Sequence, residues 1–442
     1  MQNQTLYWIW LSLKMPKTKN TYFLNLIDKF GTPYEIYRAT EEDYYALDDV
    51  PEDIVARLCD KSLHRACKIM DDCAMNGYGI ITYYDKEYPL TLKNIIDPPM
   101  VLYYQGKWPD VNRDAFLGIV GTRSMSEYGM KSAYKISYEL AAAGIIIVSG
   151  MAYGIDSVSA CAALAANGTT VAVLGCGLNT TYPASHTTLR RAIAKHGVII
   201  SEYPPDVGVE RMHFPRRNRI ISGLCSATFI VEAGAKSGAL ITAKEAMFQG
   251  RKVFAMPGNV GDENTDGTNR LIRDGIYVAL ESDDIYNEYE PLYYKVTDRI
   301  KMLKAKKHSD FDEGVLKRYG VRSAESLDSS DGAKRDETYK NYERPSYASK
   351  NVTSQTSKAT EKESHIKDDQ IEQPSNGYAE DVLSTLDDIH RTVYSMFKQG
   401  SPMLLDNFVS VSENTGDIIA ALTTLEIMGL IRTMPGGIYV RL

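Results

Sequence analysis

Short apolar runs punctuate the middle of the chain at fairly regular intervals. They fall at 117–120 (LGIV), 145–148 (IIIV), 171–174 (VAVL), 198–200 (VII), 227–231 (ATFIV), 253–256 (VFAM) and 276–280 (IYVAL). Apolar runs this short, bounded by turn residues, predict buried strands. Helix-length segments separate most of them, such as Glu127 to Ala143, Ile155 to Ala166 and His186 to Lys195. Strands alternating with helices imply a parallel sheet covered on both faces. The predicted fold class is therefore α/β, a Rossmann-like parallel sheet core. An N-terminal helical domain and a C-terminal winged-helix-like domain flank it.

The pattern changes on either side of this core. Residues 1–78 predict short helices of the SAM or helical-hairpin kind, with Thr21 to Phe30 stopped at Gly31-Thr32-Pro33. Residues 79–300 form the core, and the stretch 80–110, with Pro89, Pro98 and Pro99, reads as an entry segment lying across it. Residues 301–379 are rich in Ser, Lys, Glu, Asp, Thr and Asn. So few apolar clusters cannot offset the entropy of ordering, and the stretch predicts a disordered linker. In 380–442 the expectation is three helices, Asp381 to Phe397, Ser401 to Phe408 and Thr415 to Met428, then a hairpin about Pro435-Gly436-Gly437.

Composition narrows the class. The 442 residues carry a net charge of -7, so any anionic partner must be held by a local basic stripe. The six cysteines show no C-x-x-C pair and no histidine at zinc spacing, which fits free thiols in a reducing compartment. No apolar stretch reaches the length of a membrane span. The expectation is a cytoplasmic protein without metal or cofactor.

The candidate stripe is Arg211 to Arg219 (RMHFPRRNR), which has no acidic residue and sets Phe214 among cations. At least two of Arg216, Arg217 and Arg219 are expected to face solvent, with one pairing Glu202 or Glu232. Phe214, in what reads as a polar loop, suits a base-stacking platform. Four loops follow predicted strands at the edge where open α/β sheets bind ligands. They are Gly121-Thr122-Arg123-Ser124, then Ser149-Gly150 through Gly154 to Asp156, then Gly175-Cys176-Gly177 leading to Tyr182-Pro183, and Gly234 to Ser237-Gly238. Their backbone amides are candidate anion donors, and Arg123 can fork onto a phosphate. None has the G-K-[ST] of a P-loop or the spacing of a dinucleotide fingerprint.

These residues resemble the DNA-processing protein A (DprA, or Smf) family. The resemblance rests on Gly121-Thr122-Arg123, on Ser149-Gly150-Met151-Ala152 with Gly154-Ile155-Asp156, and on Phe214-Pro215 with Arg217-Asn218-Arg219-Ile220-Ile221. It continues through Val231-Glu232-Ala233, Ser237 to Ala243, Gly250-Arg251 and Pro257-Gly258. It implies a Rossmann-like core that dimerises, binds single-stranded DNA and helps load the recombinase RecA during natural transformation. By that resemblance Arg123, Arg211 and Phe214 are assigned to DNA, with Arg217, Asn218 and Arg219 beside them. The chain departs from the family's pattern at Ala160, where a histidine is usual, and at Asn179 and His186, where Asp and Asn are.

The alternative reading is an enzyme. Thr242 and Glu245 have the spacing of phosphoribohydrolases that release bases from nucleotides, although Leu240-Ile241 replaces the glycine pair that precedes such a threonine. Glu245 is expected on a solvated helix face. No catalytic set of serine, histidine and aspartate is legible, so no catalytic residue is assigned.

Overall fold

The computed structural model describes residues 4–16, 22–47, 50–324, 388–397, 402–408, 415–427, 430–434 and 438–441. They form two units, divided essentially at residue 342. In the larger unit six helices come first: α1 (Gln4–Lys14), α2 (Tyr22–Phe30), α3 (Pro33–Arg38), α4 (Glu41–Tyr45), α5 (Glu52–Cys59) and α6 (His64–Asn76). Trp8, Ile9, Trp10, Phe23 and Leu26 are buried among them, and this core runs on into that of the sheet.

The sheet has nine strands in the order β1-β2-β6-β5-β4-β3-β7-β8-β9. They are β1 (Gly79–Thr82), β2 (Val101–Gly106), β3 (Phe116–Val120), β4 (Ile146–Ser149), β5 (Thr170–Leu174), β6 (Val198–Ser201), β7 (Ala227–Ile230), β8 (Lys252–Ala255) and β9 (Tyr277–Val278). From β6 to β9 every pairing is parallel. β1 and β2 extend the β6 edge antiparallel, with Tyr104 opposite Ile200. The segment 80–110 is thus not only draped over the sheet; both of its strands belong to it. Alternate residues of the central strands enter opposite cores. Leu117, Ile119 and Ile147 join one face, and Phe116, Val120, Ile146 and Val148 the other. Burial on both faces is why these strands read as unbroken apolar runs.

The remaining helices of the unit are α7 (Leu90–Lys93), α8 (Glu127–Ala142), α9 (Ile155–Ala165), α10 (Thr187–His196), α11 (His213–Leu224), α12 (Ala239–Phe248), α13 (Asp266–Arg273), α14 (Ser282–Tyr293), α15 (Arg299–Ala305) and α16 (Glu313–Arg318). Two features of this layout position the site. β3 pairs with both β4 and β7, so the strand order reverses there. And β6 and β7 are separated in the sheet by β5, β4 and β3, so their connection crosses one face and carries α11 against β5 and β3.

Residues 301–324, expected in the linker, fold instead. Met302 and Leu316 are fully buried, and Ser309 Oγ donates to the buried Glu139 of α8 at 2.6 Å. Their few apolar residues sit at helical spacing between lysines, so composition alone hides them. Residues 325–379 lie outside the described residues.

In the smaller unit, helices α17 (Asp388–Met396) and α18 (Thr415–Ile427) accompany β10 (Pro402–Leu404), β11 (Ile431–Met434) and β12 (Ile438–Arg441). The strands form a sheet in the order β10-β12-β11. Val393, Phe397, Phe408, Ile418, Leu422, Leu425 and Ile431 make its core. The segment expected as the middle helix is a strand followed by a 3-10 turn, Leu405–Phe408.

Candidate nucleic-acid interface

The β6–β7 crossover delivers the first turn of α11 to the carboxyl end of β5. Phe214 is in that turn, not in a loop. A Cβ added at Gly175 would come 2.9 Å from Phe214 Cδ1, so the glycine lets the ring lie against the end of the strand. The ring of Tyr182 stands 5.2 Å from that of Phe214, centroid to centroid, at 45°. Arg123, from the loop after β3, holds its guanidinium carbon 5.6 Å from the Phe214 centroid, within cation–π range. Arg123, Phe214 and Tyr182 are half-buried, while Arg211 and Met212 are exposed. A cation from β3 and two rings from different elements therefore share one partly open rim.

The next turn of α11 faces inward. Arg216 Nε lies 3.3 Å from Glu202 and its Nη2 3.4 Å from Asp97. Arg219 pairs with the same two carboxylates, at 3.1 Å to Asp97 and 2.5 Å to Glu202. Burial pushes the Glu202 carboxyl up, but the guanidiniums of Arg219 and Arg216 outweigh it and hold the group below the usual glutamate value. Arg217 is only 4% exposed. Its Nη1 donates to the Val173 carbonyl and its Nε to Asn218 Oδ1 at 3.2 Å, in space left by the missing side chain of Gly150. Asn218 reaches the β7 loop, with Nδ2 3.4 Å from the Gly238 carbonyl. None of Arg216, Arg217 and Arg219 is exposed, contrary to the expectation that at least two face solvent. The physical reason is the crossover: past its first turn α11 lies flat on the sheet, and its cations are covered. Glu232 pairs with none of them; its carboxylate accepts from Ser126 N at 2.9 Å and from Ser126 Oγ, tying down the start of α8.

The four loops converge around this half of α11, but the chain itself uses many of their amides. Gly150 N donates to Asp156 Oδ2 at 3.0 Å, and Ser149 Oγ to the Asp156 carbonyl at 3.2 Å. The anion at the start of α9 is thus a side chain of α9 itself. Burial pushes the Asp156 carboxyl up, opposed by Arg217 and by the amides of Gly150 and Ala152. Thr122 N donates to the Glu232 carbonyl at 2.8 Å, and Ile155 N to the Thr122 carbonyl at 3.3 Å. Ser237 N donates to the Gly234 carbonyl at 3.0 Å. Gly121 packs on Ile155, and Gly154 on the backbone of Thr122 and Arg123. The contact chemistry of the rim is accordingly that of its side chains: guanidinium, phenyl and phenol.

Sequence reasoning took Tyr182 only as the end of a loop and assigned it no contact. Its signal was an aromatic following a glycine-containing strand end, which gains meaning once Phe214 is beside it. Thr242 and Glu245 are both buried in α12, so Glu245 is not on the solvated face expected of it. Among the described residues no group of three or more His, Cys, Asp or Glu side chains is placed to hold a metal. Among them, too, no helix is long and apolar enough to cross a membrane.

A family model described as DNA recombination-mediator protein A matches residues 79–290. DNA processing protein DprA of Bacillus subtilis is 40% identical over 212 residues, 48% of this chain and 71% of that protein. Protein Smf of Synechocystis is 35% identical over 367 residues, 82% of this chain and 79% of that protein. The X-ray structure of DNA processing protein A from Streptococcus pneumoniae superposes with a TM-score of 0.57 at 32% identity, over 64% of this chain and 98% of that one.

Proposed function

Since this chain belongs to the DNA recombination-mediator protein A family, we propose that it binds single-stranded DNA at the rim above β3 and β5 and loads RecA onto that strand during natural transformation. The observation that carries the reading is the Arg123 guanidinium set over Phe214, with Tyr182 alongside. A base stacks on a ring whatever its identity, and cations follow the backbone, which together hold a strand without reading its sequence. Arg211 adds an exposed charge three residues before Phe214. Arg217, Asn218 and Arg219 then serve by fixing α11, while Arg123, Arg211, Phe214 and Tyr182 make the contact. The protein acts by binding, not by catalysis, and in the cytoplasm.

Two further parts of the reading follow. β9 is an edge strand, and Tyr277, Val278 and Leu280 on and beside it are exposed. An open edge with apolar side chains is a pairing surface, and it supports a homodimer through the core. The smaller unit is assigned a winged-helix-like role. Its α18 carries Asp417 and Glu426 and no Lys or Arg, which favours protein contact over groove reading.

The test is fluorescence anisotropy of a labelled oligothymidylate at low and moderate salt, beside a duplex of equal length. Tighter, salt-sensitive binding of the single strand is expected. Equal affinity for both, or no binding by the folded protein, overturns the reading.

A further inference from the structure

Tyr182 reaches the rim at the end of the loop that follows β5, and that loop wraps around one guanidinium. Arg190 of α10 is buried, only 8% exposed. Its Nη1 donates to the Thr180 carbonyl at 2.8 Å and to Thr181 Oγ1 at 3.1 Å. Its Nη2 donates to the Leu178 carbonyl and, at 3.2 Å, to Gln105 Oε1 of β2. The first half of the loop has other supports. Gly177 N donates to the Val207 carbonyl and Asn179 N to the Pro205 carbonyl, each at 2.8 Å. Asn179 Nδ2 donates to Asp72 of α6, also at 2.8 Å. Past Asn179 the oxygens of Thr180 and Thr181 turn to Arg190, with the Cys176 thiol a weak second donor to the Thr180 carbonyl at 3.8 Å. On the other side of Tyr182 the Pro183 carbonyl accepts from His186 N at 3.0 Å, and His186 Nδ1 lies 3.1 Å from the Met151 carbonyl. Tyr182 thus stands between two anchored segments, and Arg190 makes the one before it.

We propose that Arg190 is a positioning residue for single-strand binding, fixing residues 178–181 so that the Tyr182 ring stands beside Phe214 before a strand arrives. The inference rests on the single-strand reading and deepens it. Arg190 differs from the other covered arginines of the site in what it holds. Arg216 and Arg219 take carboxylates, whereas among the described residues no carboxylate pairs with Arg190. Burying a cation without an anion is unfavourable unless its N–H groups find acceptors, and burial does pull the Arg190 pKa down. Here the acceptors are neutral oxygens, most of them in the loop that ends at Tyr182. Leu189 and Ile193 already pack α10 into the core. A planar fork that reaches two carbonyls and a hydroxyl sets their relative positions, which an ammonium on a flexible stem does not. A ring set in place beforehand lowers the ordering cost of stacking a base on it.

The test is a double-mutant cycle in the full chain, read by anisotropy of a labelled oligothymidylate at two salt concentrations. The proteins are the unchanged chain, Arg190→Met, Tyr182→Ala and the double variant, with Arg190→Lys and Arg191→Met beside them. Arg191 is an exposed neighbour on α10, so its removal takes away the same charge without touching the loop. Arg190→Met and Tyr182→Ala are each expected to weaken binding several-fold, and the double variant to bind no more weakly than Tyr182→Ala alone. The salt slope should stay unchanged throughout. Arg190→Lys should lose nearly as much affinity as Arg190→Met, and Arg191→Met should bind like the unchanged chain. Circular dichroism checks that each variant is folded; if Arg190→Met is not, Arg190→Lys takes its place in the cycle. Losses that add in the double variant overturn the inference, and so does full affinity in the Arg190 variants. A slope lower by about 0.7 in Arg190→Met, the share of one phosphate, would make Arg190 a direct contact and also overturns it. An equal loss in Arg191→Met would mark a diffuse charge effect, with the same consequence. Absence of binding by the unchanged chain overturns instead the single-strand reading beneath it.

Discussion

The start of the cationic stretch, Arg211 to Phe214, and its continuation along α11, Arg216 to Arg219, both carry arginines and have opposite surroundings. In the first, Phe214 is half-open under Arg123, and Arg211 just before it is exposed. In the second, Arg216 and Arg219 are locked between Asp97 and Glu202, and Arg217 donates to the β5 backbone. A guanidinium can serve either purpose, because its fork fits a phosphate and a carboxylate equally well. What decides is whether a carboxylate already occupies the fork. The comparison teaches that a run of arginines divides between binding and scaffold according to the path of the helix that carries it.

The sharpest way to break this division is Arg219→Ala. It leaves Asp97 and Glu202 short of a partner in a buried setting, and removing one member of such a network costs about 3–5 kcal/mol. Urea unfolding should show that loss, while the folded fraction keeps its affinity for single strands within a few-fold. A small stability change with a large loss of binding would place Arg219 on the DNA instead. The opposite result is expected for Arg211→Ala/Phe214→Ala. Stacking alone is worth about 1–3 kcal/mol per base, so affinity should fall roughly 10- to 100-fold. Its unfolding midpoint should stay close to that of the unchanged chain. If binding survives, the rim is not the site.

Much of this was legible in the sequence, and the gaps have physical causes. The central strands were readable because both faces are buried, which leaves no polar alternation to confuse them. The short β-like runs of β1 and β2 were readable too, but not their place in the sheet, since Pro89, Pro98 and Pro99 between them break the strand–helix alternation that marks the rest of the core. α15 and α16 were hidden because Met302, Ala305, Val315 and Leu316 are thinly spread among charges. At the site, the residue types were readable but their directions were not. A pairing of one arginine with Glu202 was foreseeable, but nothing in RMHFPRRNR shows that Glu202 takes two of them, Arg216 and Arg219, or that Asp97, from the segment between β1 and β2, joins it. Nor does SGMAYGID show that its own aspartate fills the amide nest it predicts.

A smaller change sharpens the comparison from the side of the rim. Gly175→Ala puts a methyl group 2.9 Å from Phe214 Cδ1 without touching a charge. Overpacking of this kind typically costs about 1–3 kcal/mol, and a half-open ring can turn aside and avoid the upper part of that range. The expected result is a few-fold weaker single-strand binding, an unchanged salt slope and a modest loss of stability. A changed slope would mean that the methyl group moves Arg123 as well as the ring.

The smallest effect expected is a difference in pH response between two buried carboxylates. Burial pushes the Glu232 carboxyl above the ordinary glutamate value of 4.5, and the two bonds from Ser126 do not reverse that. Its unfolded form therefore loses the proton at a lower pH than its folded form. Between those two values the folded state holds more protons, so stability falls as pH rises through the window. This group's contribution is complete below the unfolded value and is lost above the folded one. Glu202 runs the other way. Burial raises it, Arg219 and Arg216 lower it further, and its contribution is present above 4.5 and lost as pH falls through the folded value. Glu232→Gln removes the first window and leaves the second. Urea midpoints at about pH 4 and pH 7 should then rise more steeply with pH in the variant than in the unchanged chain. Parallel profiles would mean that Glu232 titrates as an ordinary carboxylate, and that pairing with arginine is not what separates the two groups.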